Sequence, residues 1–420
     1  MTQQQLKKGM GGRGRVLRRW LCRAVVVMAC LWPLAAGAFT PNDPYNYLQW
    51  NFGQVGMGTA WDYVGGGSAE VKVAVLDTGV AYENYEGFSL ISDLAQTNFD
   101  RDNAYDATNG SSHADDIFGH GTHVTGTVAQ STNNDIGVAG VAFNTTILPI
   151  KVFRSDGYAY DTDIAAGIDR AIAAGADVIN LSLGAPSPGG EIQAAIDRAY
   201  RAGILVVASA GNSSRSSLDY PAAYPQVLAV GATNATFGLA YYSNHTSNMV
   251  VAPGGDLRVD ATGDGYADGV LQQYIDGNYW FLQGTSMATP HVSGIAALVL
   301  AQGRSRGVLP DKGPARVDWL KSIITSTTLD LGSPGQDSTY GYGLVRAENA
   351  LAKVNSLSAS SLEAMDLAPE QSAEPAGSWL EPSASGQPVR YRSATYGSIP
   401  MDQAGAQWLA EMEDMLHPIH

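Results

Sequence analysis

A chain of 420 residues with 45% hydrophobic and only 15% charged residues can bury a large core, which excludes a disordered polymer. A formal net charge of −15 argues against nucleic acid or an anionic membrane surface as a partner. Both cysteines, Cys22 and Cys30, stand near the amino terminus, so the remaining body has neither thiol nor disulfide.

The chain opens on a leader pattern. Lys7, Lys8, Arg13, Arg15, Arg18 and Arg19 form a basic region, residues 24–38 are apolar, and Ala36-Gly37-Ala38 is a small-residue cleavage site. The pattern predicts a secretory signal peptide over 1–38 and a secreted or periplasmic protein. The apolar run is short for a bilayer, so no stable membrane insertion is expected. A lipid anchor at Cys30 is a minor alternative, because Val27-Met28-Ala29-Cys30 matches a lipoprotein signal poorly.

Five short runs rich in Val, Ile and Leu then read as buried strands, at residues 71–76, 147–153, 178–183, 204–208 and 227–230. Helical patterns lie between or after them at 120–130, 162–174, 191–202 and 287–302, and 314–325 predicts an outer helix. Alternating strands and helices predict an α/β fold over 39–355, a mostly parallel sheet with helices on both faces. Such sheets place chemistry beyond the carboxyl ends of their strands, and Asp77 and Asn212 both follow a predicted strand. From about Ser356 to Gln387, Ser, Ala, Glu, Pro and Gly dominate, which predicts a low-complexity tail over 356–420. Within it, residues 403–416 keep a helical period and predict a short carboxyl-terminal helix.

Three strings carry chemistry. Val73-Ala74-Val75-Leu76-Asp77-Thr78-Gly79 ends a strand on a carboxylate, Gly119-His120-Gly121-Thr122-His123 sets a histidine among glycines, and Gly284-Thr285-Ser286-Met287-Ala288-Thr289-Pro290 offers a serine at the start of an apolar helix. Serine needs a neighbouring base to act as a nucleophile. The first two strings are weak alone, since turns use Asp-Thr-Gly freely and buried structural histidines are common. Their occurrence in the order Asp, His, Ser is far more specific.

Together these strings resemble the subtilase family of serine peptidases over about residues 41–350. The resemblance implies a three-layer fold with a seven-stranded sheet. It makes Asp77 the orienting carboxylate, His120 the general base and Ser286 the nucleophile, with Asn212 donating to an oxyanion hole. His123 is implied to be structural, and His291 has no role. Ser182, Leu183 and Gly184 resemble one substrate-binding edge and Gly157 begins the facing one. Gly211 precedes the oxyanion asparagine. Asp219 falls where the family places the floor of the first specificity pocket, so a preference for Lys or Arg before the cut is one expectation and a solvated loop aspartate is the other. The expected substrate is polypeptide and the expected state a monomer. No propeptide is evident between leader and catalytic region. The alternative reading is a catalytically silent, peptide-binding subtilase relative.

Two loops suggest structural Ca²⁺. Asp260, Thr262, Asp264, Tyr266 (through its carbonyl) and Asp268 have the spacing of an EF-hand-like loop, although the twelfth position is Leu271. Residues 133–138 are similar to the subtilase calcium loop, which implies ligands from Asn134, Ile136 and Val138, joined by Asp43. A loop of self-bonded Asx turns is the alternative for 260–268.

Overall fold

Strand β1 (Lys72–Asp77) explains why both faces of a sheet are covered: Val73 and Val75 enter one apolar cluster, Ala74 and Leu76 the other. The computed structural model describes residues 39–358, 389–393, 395 and 397–403. The predicted leader and residues 404–416 of the predicted terminal helix lie outside the described residues.

The remaining strands of the main sheet are β2 (Asn98–Phe99), β3 (Tyr105–Asp106), β4 (Thr146–Lys151), β6 (Val178–Leu181), β8 (Leu205–Ser209), β9 (Leu228–Thr233) and β10 (Val250–Pro253). Seven strands run in the order β10-β9-β8-β6-β1-β4-β2, and β3 pairs with β4 beside them. Every pairing is parallel. Two small antiparallel sheets are added, β5 (Ala159–Tyr160) with β13 (Arg390–Ser393) and β7 (Leu183–Gly184), and β11 (Val270–Gln273) with β12 (Tyr279–Gln283) and β14 (Gly397–Pro400).

Helices α1 (Trp50–Val55), α2 (Met57–Val64), α3 (His120–Ala129), α4 (Asp161–Ala173), α5 (Gly190–Arg201), α6 (Thr285–Arg306), α7 (Pro314–Thr325) and α8 (Ala347–Ser356) complete the layers. The pair α4 and α5 packs on one face through Ile164, Ile168, Ile192 and Ile196, and the other helices cover the opposite face. Helix α6 is central, with every residue from Thr285 to Gly303 buried, as its all-round apolar sequence requires.

Three differences from expectation have physical causes. The predicted strand 178–183 breaks into β6 and β7 at Ser182, whose main chain and side chain both turn toward α6. β2, β3 and β10 are two to four residues long and too short to carry a period. Residues 390–400, assigned to a separate tail, supply two strands to the catalytic body.

Candidate active site

β1 delivers Asp77 to the carboxyl edge of the sheet, fully buried. Its Oδ1 accepts from His120 Nδ1 at 2.6 Å and from the Thr78 amide at 2.7 Å. His120 therefore carries its proton on Nδ1 and leaves Nε2 as the basic end. That Nε2 is buried and has no hydrogen-bond partner among the described residues.

His120 is the first residue of α3, and its neighbours explain how the helix meets β1. A side chain on Gly121 would bring its Cβ within 2.2 Å of the Gly79 carbonyl oxygen and 2.9 Å of Asp77 Cβ. Glycine is required for that approach. The Gly121 amide donates to Thr78 Oγ1 at 2.8 Å. The exposed donors of the first turn are satisfied by Asp116, whose carboxylate accepts from the amides of Gly119 and Thr122 at 2.9 Å and from Thr122 Oγ1 at 2.7 Å. Sequence reasoning missed Asp116. Its only signal was an acid just before a helix start.

Ser286 is the second residue of α6 and fully buried. Pro290, four residues on, has no N–H to give to the Ser286 carbonyl. Ser182 Oγ donates to that carbonyl instead, at 2.9 Å, while Ser286 Oγ donates to the Ser182 carbonyl at 2.9 Å. Asn212 Oδ1 accepts from the amide and the hydroxyl of Thr285 at 3.0 and 2.8 Å. Its carbonyl end is thus anchored to the start of α6, and the donating Nδ2 is the other end. Asn212 lines a cavity of about 950 Å³.

Of the expected substrate-binding residues, Gly184, Gly211 and Asp219 line this cavity, and a second one of about 270 Å³ contains His120; Ser182 and Leu183 line neither. Gly157 lines the second cavity beside His120, and Leu183 and Gly184 form β7. Gly211 has φ +101°, and a Cβ there would lie 2.4 Å from Asp219 Oδ2. Asp219 stands at the cavity wall and is already paired with Arg215. Burial pushes the Asp219 carboxyl above the usual carboxylate range, and Arg215 pulls it back.

Among the described residues, two further histidines are buried. His123 Nε2 lies 3.1 Å from the carbonyls of Val270 and Trp280, and burial drives the ring down to about 3. His291 Nδ1 donates to the Met287 carbonyl at 2.7 Å, its Nε2 accepts from Asn51 Nδ2 at 2.8 Å, and burial lowers it to about 4.

The two cation loops differ. At 133–138, Asp43 accepts from the Asn133 amide at 2.8 Å, and Asn134 Nδ2 donates to Asp93 Oδ1 at 3.0 Å. Asp93, absent from the expected ligands, is fully buried, and burial pushes its carboxyl up to about 7. It also accepts from the Val138 amide and the Tyr279 hydroxyl, each at 3.1 Å. Ile136 donates its amide to Asn134 Oδ1 at 2.9 Å, which leaves its carbonyl for other use. Asp43, Asp93 and the loop carbonyls are oxygen donors of the kind a hard cation takes.

In the 260–268 loop the expected ligands hydrogen-bond to the loop itself. Asp260 accepts from the amides of Gly263, Asp264 and Gly265 and from the Thr262 hydroxyl. Asp268 accepts from the Ala261 and Thr262 amides and the Thr262 hydroxyl. Asp264 accepts from the Tyr266 amide, and the Tyr266 ring stacks on Phe281. Leu271 is buried in β11. These are the bonds of the Asx-turn alternative.

Comparison with known proteins gives a consistent answer. The Subtilase family profile (Peptidase_S8) matches residues 68–343. The chain is 39% identical over 278 residues to the thermophilic serine proteinase of Bacillus sp. (strain AK1), covering 64% of this chain and 61% of that one. It is 38% identical over 291 residues to subtilisin DY of Bacillus licheniformis, covering 67% of this chain and 91% of that one. Among solved structures it is similar to a protease from Pseudoalteromonas arctica PAMC 21717, at TM-score 0.60 and 34% identity, over 75% of this chain and 100% of that one. The chain belongs to the subtilase family of subtilisin-like serine endopeptidases.

Proposed function

We propose that this chain hydrolyses internal peptide bonds of polypeptides through an acyl-enzyme on Ser286. The observation that carries the reading is the 2.6 Å bond from His120 Nδ1 to Asp77, which leaves a buried Nε2 to receive a proton. In the reaction the Ser286 hydroxyl leaves the Ser182 carbonyl and donates to that nitrogen. Ser286 Oγ then adds to the scissile carbonyl, and its proton passes through His120 to the leaving amine. Water repeats the sequence on the acyl group. Asp77 holds the tautomer and stabilises the imidazolium. The developing oxyanion is received by Asn212 Nδ2 and the amide of Ser286 at the amino end of α6.

Substrate lies along β7 and β5 as an added strand, so recognition is largely through main-chain bonds and tolerates many sequences. Asp219 gives a secondary bias toward a basic residue before the cut, limited by Arg215. Asp43, Asp93 and Asn134, with the carbonyls of Ile136 and Val138, hold a structural Ca²⁺ that takes no part in the reaction. No helix among the described residues is long and apolar enough to cross a membrane. Together with the leader pattern over 1–38, this supports a secreted or periplasmic protein.

Purified protein and its Ser286→Ala variant are exposed to a fluorophosphonate probe and to an unfolded protein substrate. Labelling and hydrolysis by the parent, both lost in the variant, are expected. A parent that takes up no probe and cuts nothing overturns the reading.

A further inference from the structure

The carboxyl-terminal strands lie across the candidate active site. β13 runs antiparallel to both substrate-binding edges, with Tyr391 opposite Ala159 of β5, and Arg392 and Ser393 opposite Gly184 and Leu183 of β7. Tyr391 is completely buried and its hydroxyl lies 3.3 Å from Asp161 Oδ1. Arg392 stays on the surface and donates to the Tyr158 hydroxyl at 2.8 Å. Buried and exposed residues alternate, as in a strand held by its main chain and by every second side chain.

Beyond Ser393 the chain reaches the catalytic groups. Ser393, Thr395 and Ser398 line the cavity that contains His120. The Thr395 hydroxyl lies 4.0 Å from Sδ of Met287, the residue after Ser286. The chain then leaves as β14, antiparallel to β12, with Gly397 opposite Gln283, three residues before Ser286. The described residues therefore run along β5 and β7 on one side of the serine and histidine and along β12 on the other. A peptide about to be cut must take this path, with strand on both sides of the reacting bond.

We propose that residues 390–400 are an internal substrate, and that the full chain cuts itself at a bond between Ser393 and Gly397. The inference rests on the endopeptidase reading above. Ser286 Oγ bonds to the carbonyl carbon, and its proton moves through His120 to the nitrogen. The carbon–nitrogen bond breaks, and the downstream piece leaves with a new amino terminus. One water then adds to the acyl carbon, returns a proton through His120 to Ser286 Oγ, and leaves a carboxylate on the upstream piece. The segment is tethered to the body, so the reaction is unimolecular and outcompetes added peptide by effective concentration.

The test follows intact mass of the full chain with time, beside Ser286→Ala and Tyr391→Gly. Expected is a chain ending within residues 393–396 and a complementary terminal fragment, formed at a first-order rate independent of protein concentration. Ser286→Ala stays whole. Tyr391→Gly, which removes the buried anchor, slows the cut at least tenfold relative to hydrolysis of an added peptide. A parent that takes up the fluorophosphonate and hydrolyses added peptide while its own mass stays whole overturns the proposal and leaves the endopeptidase reading standing. A parent and Tyr391→Gly variant that neither label nor hydrolyse overturn that reading, and the proposal with it.

Discussion

Pro290 and Ser182 are linked through a carbonyl that belongs to neither: the proline withholds a donor from Ser286, and the Ser182 hydroxyl supplies one at 2.9 Å. Ser182→Ala leaves that buried carbonyl without a partner, at a cost of about 1–3 kcal/mol. Pro290→Ala restores the helical N–H, so the double variant regains the share carried by the Ser286 carbonyl, while the Asn180 side-chain amide that donates to the same hydroxyl at 3.0 Å stays unpaired. Urea unfolding of the two single variants and the double variant measures the coupling, and simple additivity would count against the link.

Asn212 is anchored by its carbonyl end, so replacement by leucine removes the amide donor and leaves the binding edges in place. The expected loss is about 10²–10³ in kcat, roughly 3–4 kcal/mol, with KM little changed. Steady-state kinetics on a peptide substrate decide the point. A loss confined to KM would place Asn212 in ground-state binding.

The ion pair between Asp219 and Arg215 predicts the direction of a specificity change. The Arg215 side chain is 42% exposed, so the pair contributes only about 0–1 kcal/mol and a basic substrate residue can compete for the carboxylate. Arg215→Gln raises the preference for Lys or Arg over Phe before the cut by about fivefold, and Asp219→Ala abolishes it. Ratios of kcat/KM across matched peptides are the measurement.

At the 133–138 loop, removing Ca²⁺ with EDTA lowers Tm. At a hundredfold excess of ion over Kd the lost stabilisation is about 2.7 kcal/mol. Asp93→Asn reduces the response, whereas Asp264→Ala in the self-bonded loop leaves it unchanged. Equal responses in both variants would contradict the assignment.

Two buried histidines set an acid limit. Their folded values of about 3 for His123 and about 4 for His291 lie below the ordinary 6.5. Below pH 6.5 the unfolded chain takes up protons that the folded one refuses, so stability falls by about 1.4 kcal/mol per pH unit for each histidine. The fall continues until pH reaches the folded values. His291→Gln removes one proton from the uptake between pH 6 and pH 4.5, read from denaturant unfolding across that range.

The strings around Asp77, His120 and Ser286 were legible because each packs its chemistry into a few consecutive residues at an element's edge. The long core strands were legible because four or more apolar residues in a row have few other uses. Asp93 and Asp116 were not, since an isolated acid becomes informative only when distant amides and hydroxyls gather round it. The 260–268 loop illustrates the converse. Its ligand spacing is real, but spacing is silent on whether cation or backbone amides receive the oxygens. The strand 390–393 was hidden by its surroundings. The alternation Val389-Arg390-Tyr391-Arg392 was its only signal, and its register comes from edges more than 200 residues upstream.

Helix α6, buried on every side from Thr285 to Gly303, has a consequence for how the protein fails. Its backbone amides can exchange with solvent only when the interior opens, so they belong to the slowest-exchanging class. The Ser286 hydroxyl is mounted on that same rod. Partial melting of outer loops therefore leaves Ser286 in register, and thermal inactivation coincides with collapse of the whole body.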